Sequence, residues 1–228
     1  MLAVLYDIHG NLPALEAVVA DARGAGADRF LLGGDYAAFG AWPAATVALL
    51  ESLDPVAMIA GNHERWLAGD DGDMPAGNTV VPEAIDFQRA ALAGDVIARI
   101  TSLPATAEHA GALFCHASPA SDMRGFSPED DPADDELLAG VTGQRVVFGH
   151  THVQFRRLTA AGTELVNPGS VGLPFDGDHR AAYALLDDDG SLRLRRVAYD
   201  TGAAAEALLA FGEPWADAVA GWLDRAGV

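Results

Sequence analysis

The chain has 228 residues, half of them hydrophobic, and can bury a full core. Its 33 acidic residues outnumber its 14 basic residues, all of them arginine, and the formal charge of −19 disfavours an extended nucleic-acid partner. The sequence has no apolar run long enough for a membrane and no signal-peptide pattern, and its one cysteine, Cys115, excludes an intramolecular disulfide, so we expect a cytoplasmic protein.

The first half of the chain alternates strand patterns with helix patterns. Short apolar runs predict strands at residues 2–6, 30–32 and 56–60. Apolar residues at helical spacing predict helices at residues 12–23 and 44–53, and residues 82–100 are expected to be mostly helical. This βαβαβ order is typical of an α/β sheet.

The second half is predicted to contain short strands and then a helical tail over residues 203–226. The strands are expected at residues 112–115, 145–148, 164–166, 182–186 and 192–197. In the tail, Trp215, Val219, Trp222 and Leu223 recur at helical spacing, which favours core or an interface over a cofactor site. The sequence contains no linker or internal repeat, so we expect a single domain over residues 1–228.

Five of the predicted strands end in residues that can bind metals. Five of the seven histidines lie at such ends, whereas His109 and His179 do not. In order along the chain, these strand-end residues are Asp7 and His9, Asp35, Asn62 and His63, His116, and His150 and His152. Ligands of α/β sheets gather at the carboxyl ends of strands, so the whole set predicts a metal site, although any one histidine could be structural.

The last strand end contains two histidines separated by one residue. Gly149 permits either a turn or a close approach by another group. If the chain continues in an extended conformation, His150 and His152 point to the same side, because side chains of a strand alternate.

The ordered blocks D-x-H, G-D, G-N-H-[DE], H and G-H-x-H resemble those of the calcineurin-like metallophosphoesterase superfamily, and residues 167–172 resemble a strand-turn of its bacterial phosphodiesterase branch. The resemblance implies a four-layer αββα sandwich, with two mixed β-sheets flanked by helices and a two-metal centre where they meet. It implies two ligand sets joined by a bridging Asp35: Asp7, His9 and His152 for one metal, and Asn62, His116 and His150 for the other. His63 is implied to face the substrate instead of a metal, and we expect it to act as the general acid.

The chemistry of such a centre accounts for these residue types. Two divalent ions roughly 3.5–4 Å apart can activate a water molecule and hold the phosphoryl oxygens. Imidazole, carboxylate and amide ligands suit Mn, Fe, Zn, Ni or Co, and of these we expect manganese. Two ions, two carboxylates and one hydroxide sum to about +1, so a small phosphoester could bind in this acidic protein whereas a polyanion is disfavoured.

The stretch after Asp35 lacks the Asp-Arg-Gly of the protein-phosphatase branch, which counts against a protein phosphatase. Arg65 is the nearest replacement for the missing arginine as a substrate-binding residue, and an ordinary surface arginine is an equal alternative. Residues 66–78 and 117–135 could be substrate-facing loops or simple surface.

Three functions remain open from the sequence. A metal-dependent phosphodiesterase acting on a small phosphoester is favoured. A phosphomonoesterase or nucleotide pyrophosphatase with the same centre is the first alternative. A non-catalytic interaction protein on this fold is less favoured, because folding alone does not require seven polar ligands to converge. A homo-oligomer is compatible with the sequence.

Overall fold

The computed structural model describes residues 1–75 and 77–228, and ten strands in these residues form two five-stranded sheets. In the first sheet, three parallel strands continue into two antiparallel strands, in the order β10-β9-β1-β2-β3. Its strands are β1 (Leu2–Leu5), β2 (Arg29–Leu32), β3 (Ala57–Met58), β9 (Ala181–Leu186) and β10 (Leu192–Val197).

The second sheet also mixes parallel and antiparallel strands. Three parallel strands lie in its middle and an antiparallel strand lies at each edge, in the order β4-β5-β6-β8-β7. Its strands are β4 (Thr106–His109), β5 (Ala112–Cys115), β6 (Arg145–Val147), β7 (Phe155–Leu158) and β8 (Glu164–Asn167). The expected pair of mixed sheets is therefore confirmed.

Helices lie on the outer faces of the sheets. They are α1 (Leu12–Gly24), α2 (Pro43–Ser52), α3 (Asn62–Leu67), α4 (Val80–Ala91), α5 (Gly94–Thr101), α6 (Asp134–Leu138), α7 (Thr201–Leu209) and α8 (Pro214–Arg225). None of the helices in the described part of the chain is both long enough and apolar enough to cross a membrane.

The core has a layer between the sheets and further layers outside them. Side chains on alternate positions of β1 separate into these layers, because a strand presents successive residues to opposite faces. Leu2 and Val4 face the second sheet, where they join Phe114 and Val166. The other face of the first sheet packs against α1 and α2, and the outer face of the second sheet packs against α6. The result is the predicted αββα sandwich.

Two predicted helices are each divided in two. The helix expected over residues 82–100 is interrupted at Leu92 and Ala93, whose ψ angles of 142° and 147° are extended. The helical tail expected over residues 203–226 is interrupted before Pro214, because Gly212 has a left-handed φ of 66° and proline then begins the last helix. In the predicted tail stripe, Trp215, Val219 and Leu223 are buried, as expected for core, whereas Trp222 is partly exposed.

The sequence patterns also missed two strands and two helices. Strands β4 and β7 lie at the edges of the second sheet, and both have exposed positions that weaken the apolar pattern. Helices α3 and α6 contain only six and five residues, too few for a helical period to show.

Candidate metal centre

Pairing in the first sheet brings two of the predicted ligand loops together. Leu5 of β1 lies beside Leu32 of β2, so the loops that carry Asp7 and Asp35 leave the sheet side by side. The loops are joined by backbone hydrogen bonds: the N–H of Asp7 donates to the carbonyl of Gly34 at 3.2 Å. The order of two parallel strands thus sets the spacing of two carboxylates.

The second sheet repeats this arrangement. Phe114 of β5 lies beside Val147 of β6, and the N–H of Gly149 donates to the carbonyl of His116 at 2.7 Å. The hydroxyl of Tyr6, which follows β1, donates to the carbonyl of Val147 at 2.9 Å and joins the two sheets at this edge. The four loops that carry Asp7, Asp35, His116 and His150 therefore lie together at one end of the two sheets.

The structure brings together all eight residues predicted as metal ligands or acid. Seven of them are at most 4% exposed, and His150 is partly exposed. The eight are Asp7, His9, Asp35, Asn62, His63, His116, His150 and His152.

One group of these side chains surrounds the end of β1. The Nε2 atoms of His9 and His152 are 3.0 Å apart, and Nε2 of His152 is 3.6 Å from Oδ1 of Asp7. Nε2 of His9 is 3.9 Å from Oδ2 of Asp35. Asp7, His9 and His152 lie close enough together to hold one metal ion, and Asp35 lies beside them.

A second group lies on the other side of Asp35. Nε2 of His116 is 3.5 Å from Oδ1 of Asp35 and 3.9 Å from Oδ1 of Asp7. The ring of His116 is 5.3 Å from that of His150, whose Nδ1 is 3.0 Å from Oδ1 of Asn62. The two oxygens of Asp35 thus face different histidines, as a bridging carboxylate requires.

Backbone carbonyls fix the orientation of two of the rings. Nδ1 of His116 lies 2.9 Å from the carbonyl of Gly33, and Nδ1 of His152 lies 2.6 Å from the carbonyl of Leu173. Each contact turns the opposite nitrogen toward the centre. Metal-binding histidines are commonly held by their second nitrogen in this way.

Four buried atoms of the site residues have no hydrogen-bond partner in the described residues: Nδ1 of His9, Nδ1 of His63, Oδ1 of Asp7 and Nε2 of His116. The last two lie 3.9 Å apart, at the centre. A buried polar atom without a partner is costly, and a bound cation would satisfy both atoms. The donor set of imidazole, carboxylate and amide also suits a divalent transition metal. The residues therefore fit a metal centre.

The buried carboxylates and histidines of the centre shift one another's pKa values. Burial raises the pKa of Asp7 well above its ordinary value, whereas at Asp35 burial is outweighed by neighbouring histidines, His116 first, which hold its pKa well below the usual range. Burial alone would lower the pKa of His116, but Asp35 and Asp7 raise it to about 10. Burial lowers the pKa of His150 to about 4 and that of His152 to about 3, which keeps both rings neutral and able to bind metal.

The backbone at the site differs from the extended path considered for the His150 loop. His150 and His152 have φ angles of 64° and 58°, in the left-handed region, so the extended path is wrong although both rings reach the site. Asp7, His9 and Asp35 also have positive φ angles, of 54°, 51° and 56°. Such conformations are uncommon for residues other than glycine and are retained where surrounding contacts enforce them.

Glu64 supplies one of these contacts, and its role was not predicted. It is fully buried, and its carboxylate accepts backbone N–H groups from Asp35 at 2.8 Å, Tyr36 at 3.0 Å and Gly61 at 2.9 Å. Burial, with the negative charge of Asp35, raises the pKa of Glu64 to about 7. Glu64 therefore ties the Asp35 loop to the start of α3, which carries Asn62.

Asn167 and Ser170 hold the other loops. The amide of Asn167 donates to the carbonyl of Gly149 at 3.0 Å and to the hydroxyl of Thr151 at 2.9 Å. The hydroxyl of Ser170 donates to the carbonyl of Asp7 at 2.7 Å. The motif at residues 167–172 therefore supports both the His150 loop and the Asp7 loop, which its resemblance alone did not reveal.

Glycine is needed at position 149 because the Asp7 carboxylate comes close to the backbone there, and not because the chain turns. A Cβ atom at this position would lie 2.4 Å from Oδ2 of Asp7. The same carboxylate oxygen accepts the N–H of His150 at 2.9 Å. A side chain at Gly149 would therefore separate two of the ligand loops.

His63 lies at the first turn of α3, against the centre. Its Nε2 is 3.6 Å from Oδ2 of Asp35, and its ring stacks on Trp66 at 5.1 Å and meets Phe39 edge-on at 4.8 Å. His63 also shares a group with His9 and Asp35 that is tight enough to hold an ion, so its role as acid and not ligand stays a prediction.

Arg65 lies in a groove of about 560 Å³ that reaches His116. Its guanidinium donates to Asp122 at 2.6 Å and to Asp73 at 2.8 Å. The N–H groups of Arg65 are therefore already paired with carboxylates of the protein. The groove falls between the two loop segments that the sequence left open, since residues 70 and 118–122 line it. A substrate role for Arg65 stays a prediction.

This fold, with buried ligands at the strand ends of both sheets, defines a hydrolase of phosphoesters that uses divalent metal. The chain belongs to the calcineurin-like phosphoesterase superfamily, whose domain profile matches residues 1–191. It is 29% identical to the uncharacterized protein MJ0912 of Methanocaldococcus jannaschii, with 92% of each chain covered.

Two solved structures share the fold over almost the whole chain. A metallophosphoesterase from Sphaerobacter thermophilus has a TM-score of 0.84 at 24% identity, covering 99% of this chain and 98% of its own. The hypothetical protein PH1004 from Pyrococcus horikoshii has a TM-score of 0.85 at 19% identity, covering 100% and 99%. The fold match thus includes α7 and α8, which lie beyond the family profile.

Proposed function

We propose that this protein is a dinuclear metal-dependent phosphodiesterase that hydrolyses a small phosphoester. The observation that carries the proposal is the position of Asp35, whose two carboxylate oxygens face different histidines in two adjacent ligand groups. A carboxylate placed in this way can bridge two ions, whereas a single-ion site would not need the second group.

The proposed ligands follow the two groups, with Asp35 shared between them. Asp7, His9 and His152 would hold one ion, and Asn62, His116 and His150 the other. Manganese is the favoured metal, and Fe, Zn, Ni or Co have compatible ligand preferences. When bound, the ions would supply an activated water and stabilise the charge that develops on the phosphoryl group.

His63 is the proposed general acid. Its ring is held between Trp66 and Phe39 and lies beside Asp35, next to the position that a phosphoryl group would take. Burial lowers the pKa of His63, and the negative charge of Asp35 opposes this effect. An anionic phosphoryl group would act in the same direction as Asp35 and favour the protonated ring, which can then give its proton to the leaving oxygen.

The groove beside the centre and the acidic surface of the protein support a small phosphodiester as the substrate. The groove that reaches His116 offers space for a substituent, and a diester has two substituents to place where a monoester has one. Asp70 and Asp122 line this groove, so a second phosphate there would meet negative charge. The overall charge of −19 disfavours polyanions in the same way.

The proposal is tested by metal content and substrate choice measured on one preparation. After loading with Mn and removal of free metal, elemental analysis should find close to two ions per chain. Bis(p-nitrophenyl) phosphate should then be cleaved faster than p-nitrophenyl phosphate, with the metal-free protein as the control.

One ion per chain at saturation would contradict the bridging role of Asp35. Faster cleavage of the monoester would instead favour a phosphomonoesterase with the same centre. A cytoplasmic location, a single domain over residues 1–228 and a homo-oligomeric state also stay predictions.

A further inference from the structure

Aromatic rings extend outward from the histidines of the centre. Phe175 stacks on His152, with ring centroids 4.5 Å apart and planes inclined by 25°. Phe39 lies 5.3 Å from His9 and 4.8 Å from His63. Two phenyl rings therefore contact three of the histidines, His9, His63 and His152, which do not line the His116 groove.

Trp222 of α8 joins these two phenyl rings. Its indole meets Phe39 edge-on at 5.6 Å and Phe175 at 6.3 Å, with planes inclined by 84° and 87°. Phe39 is almost fully buried, whereas Trp222 and Phe175 are partly exposed. The accessible aromatic surface of this group of rings is thus provided by Phe175, which stacks on His152, and by Trp222 next to it.

The position of Trp222 in the chain is also informative. It lies beyond residue 191, where the match to the family domain ends, on a helix that α4 and α7 hold in place. On the same helix, the side chains of Trp215, Val219 and Leu223 face the core and are at most 5% exposed. Trp222 packs at the margin of that core, so part of its indole stays accessible beside Phe39 and Phe175.

We propose that Trp222, with Phe175, forms a subsite that binds a planar aromatic group on the phosphoester, and that Trp222 determines specificity for such substrates. This inference rests on the proposed function, since the phosphoryl group is taken to bind at the metals. The aromatic group could be a nucleobase or an aryl ester, because both present a flat π-face to the indole. Stacking of a base on an aromatic side chain changes affinity by roughly 5- to 150-fold.

Binding to the Mn-loaded protein tests the subsite with two matched pairs of probes. AMP is compared with ribose 5-phosphate, and phenyl phosphate with methyl phosphate, each by competition against a chromogenic diester and by titration calorimetry. In at least one pair the aromatic member should bind roughly 5- to 150-fold more tightly. An advantage for AMP alone identifies a nucleobase, and an advantage for phenyl phosphate alone identifies an aryl group.

Three variants assign the effect to Trp222. Trp222→Leu keeps apolar bulk but removes the flat ring, so the aromatic advantage should fall to about one, with unchanged affinity for ribose 5-phosphate and unchanged metal content. Trp222→Phe should retain much of the advantage. Phe211→Ala is the matched control, because Phe211 is an exposed aromatic residue that packs on Phe87 and Trp215, away from the histidines.

Two results would overturn the proposal: no aromatic advantage in either pair, or an advantage that Trp222→Leu leaves intact. If Trp222→Leu does not fold, fluorescence decides, since quenching by AMP or phenyl phosphate should persist in Phe211→Ala and disappear in Trp222→Phe. Failure of the proposed function is distinguishable, because it would show as no turnover of any phosphoester while the aromatic advantage in calorimetry remains.

Discussion

Replacing Asp35 with asparagine should remove the metals and the activity while leaving the fold intact. Asparagine keeps the size of the side chain and can still accept the N–H of His63, which Oδ1 of Asp35 accepts at 3.1 Å. It also tolerates the left-handed backbone at this position, where φ is 56°. The substitution therefore removes little except the charge of one of the two carboxylates among the proposed metal ligands.

The expected loss follows from that charge. A unit charge 4 Å away contributes about 4 kcal/mol at an effective dielectric constant of about 20, and the proposed bridge acts on two divalent ions. A loss of one such contribution already corresponds to about 10³-fold in kcat/KM or in metal affinity. The expected effect therefore exceeds the 10- to 100-fold that removing an outer hydrogen-bond partner of a metal ligand costs.

The assay compares Asp35→Asn with His109→Ala. His109 pairs with Ala112 at the start of β5, whereas His116 follows the end of the same strand. The control histidine and the proposed ligand therefore lie at opposite ends of β5. Metal content, diester turnover and thermal melting of the metal-free proteins are measured together. Equal losses in both variants, or two ions retained by Asp35→Asn, would refute the assignment of Asp35 as the bridge.

Three further predictions follow from the site and the surface. His63→Ala should keep both metals and lose about 10²–10⁴-fold in turnover of esters with poor leaving groups, and much less with nitrophenyl esters, which leave without a proton; equal losses for both esters would remove the acid role. Long DNA or RNA should be cleaved poorly at low salt compared with a small diester, because of the charge of −19, and efficient degradation would contradict this. Glu64→Gln leaves at least one of three buried N–H groups without its acceptor and should lower the free energy of unfolding by about 1–3 kcal/mol, measured by urea denaturation of the metal-free protein.

Much of the fold could be predicted because its central strands are buried on both faces. The strand β1 is a continuous apolar run with no exposed position, and its neighbour β2 is nearly so. The edge strands β4 and β7 alternate with exposed residues and are short, so composition alone did not separate them from loops. The edge strands of a sheet thus show a weaker apolar sequence pattern than its central strands.

The site residues could be predicted by type and position, but not the contacts that hold them. Asp and His at strand ends are visible in the sequence, because the carboxyl ends of strands are known places for ligands. The roles of Glu64 and Asn167 depend on backbone groups 28 or 29 residues away and 18 residues away, which no local pattern encodes. The left-handed angles of the ligands are likewise set by these distant contacts and not by the residues themselves.

The left-handed backbone at Asp7, His9, Asp35, His150 and His152 has a consequence for the evolution of thermostability. A residue held in such a conformation costs of order 1 kcal/mol or more, so five of them together approach the lower end of a domain's total stability, about 5–15 kcal/mol. Glycine at these positions would relieve that cost and abolish the centre at the same time. Selection for heat resistance and selection for turnover therefore act in opposite directions at these five positions, and a more stable descendant must gain its stability elsewhere in the chain.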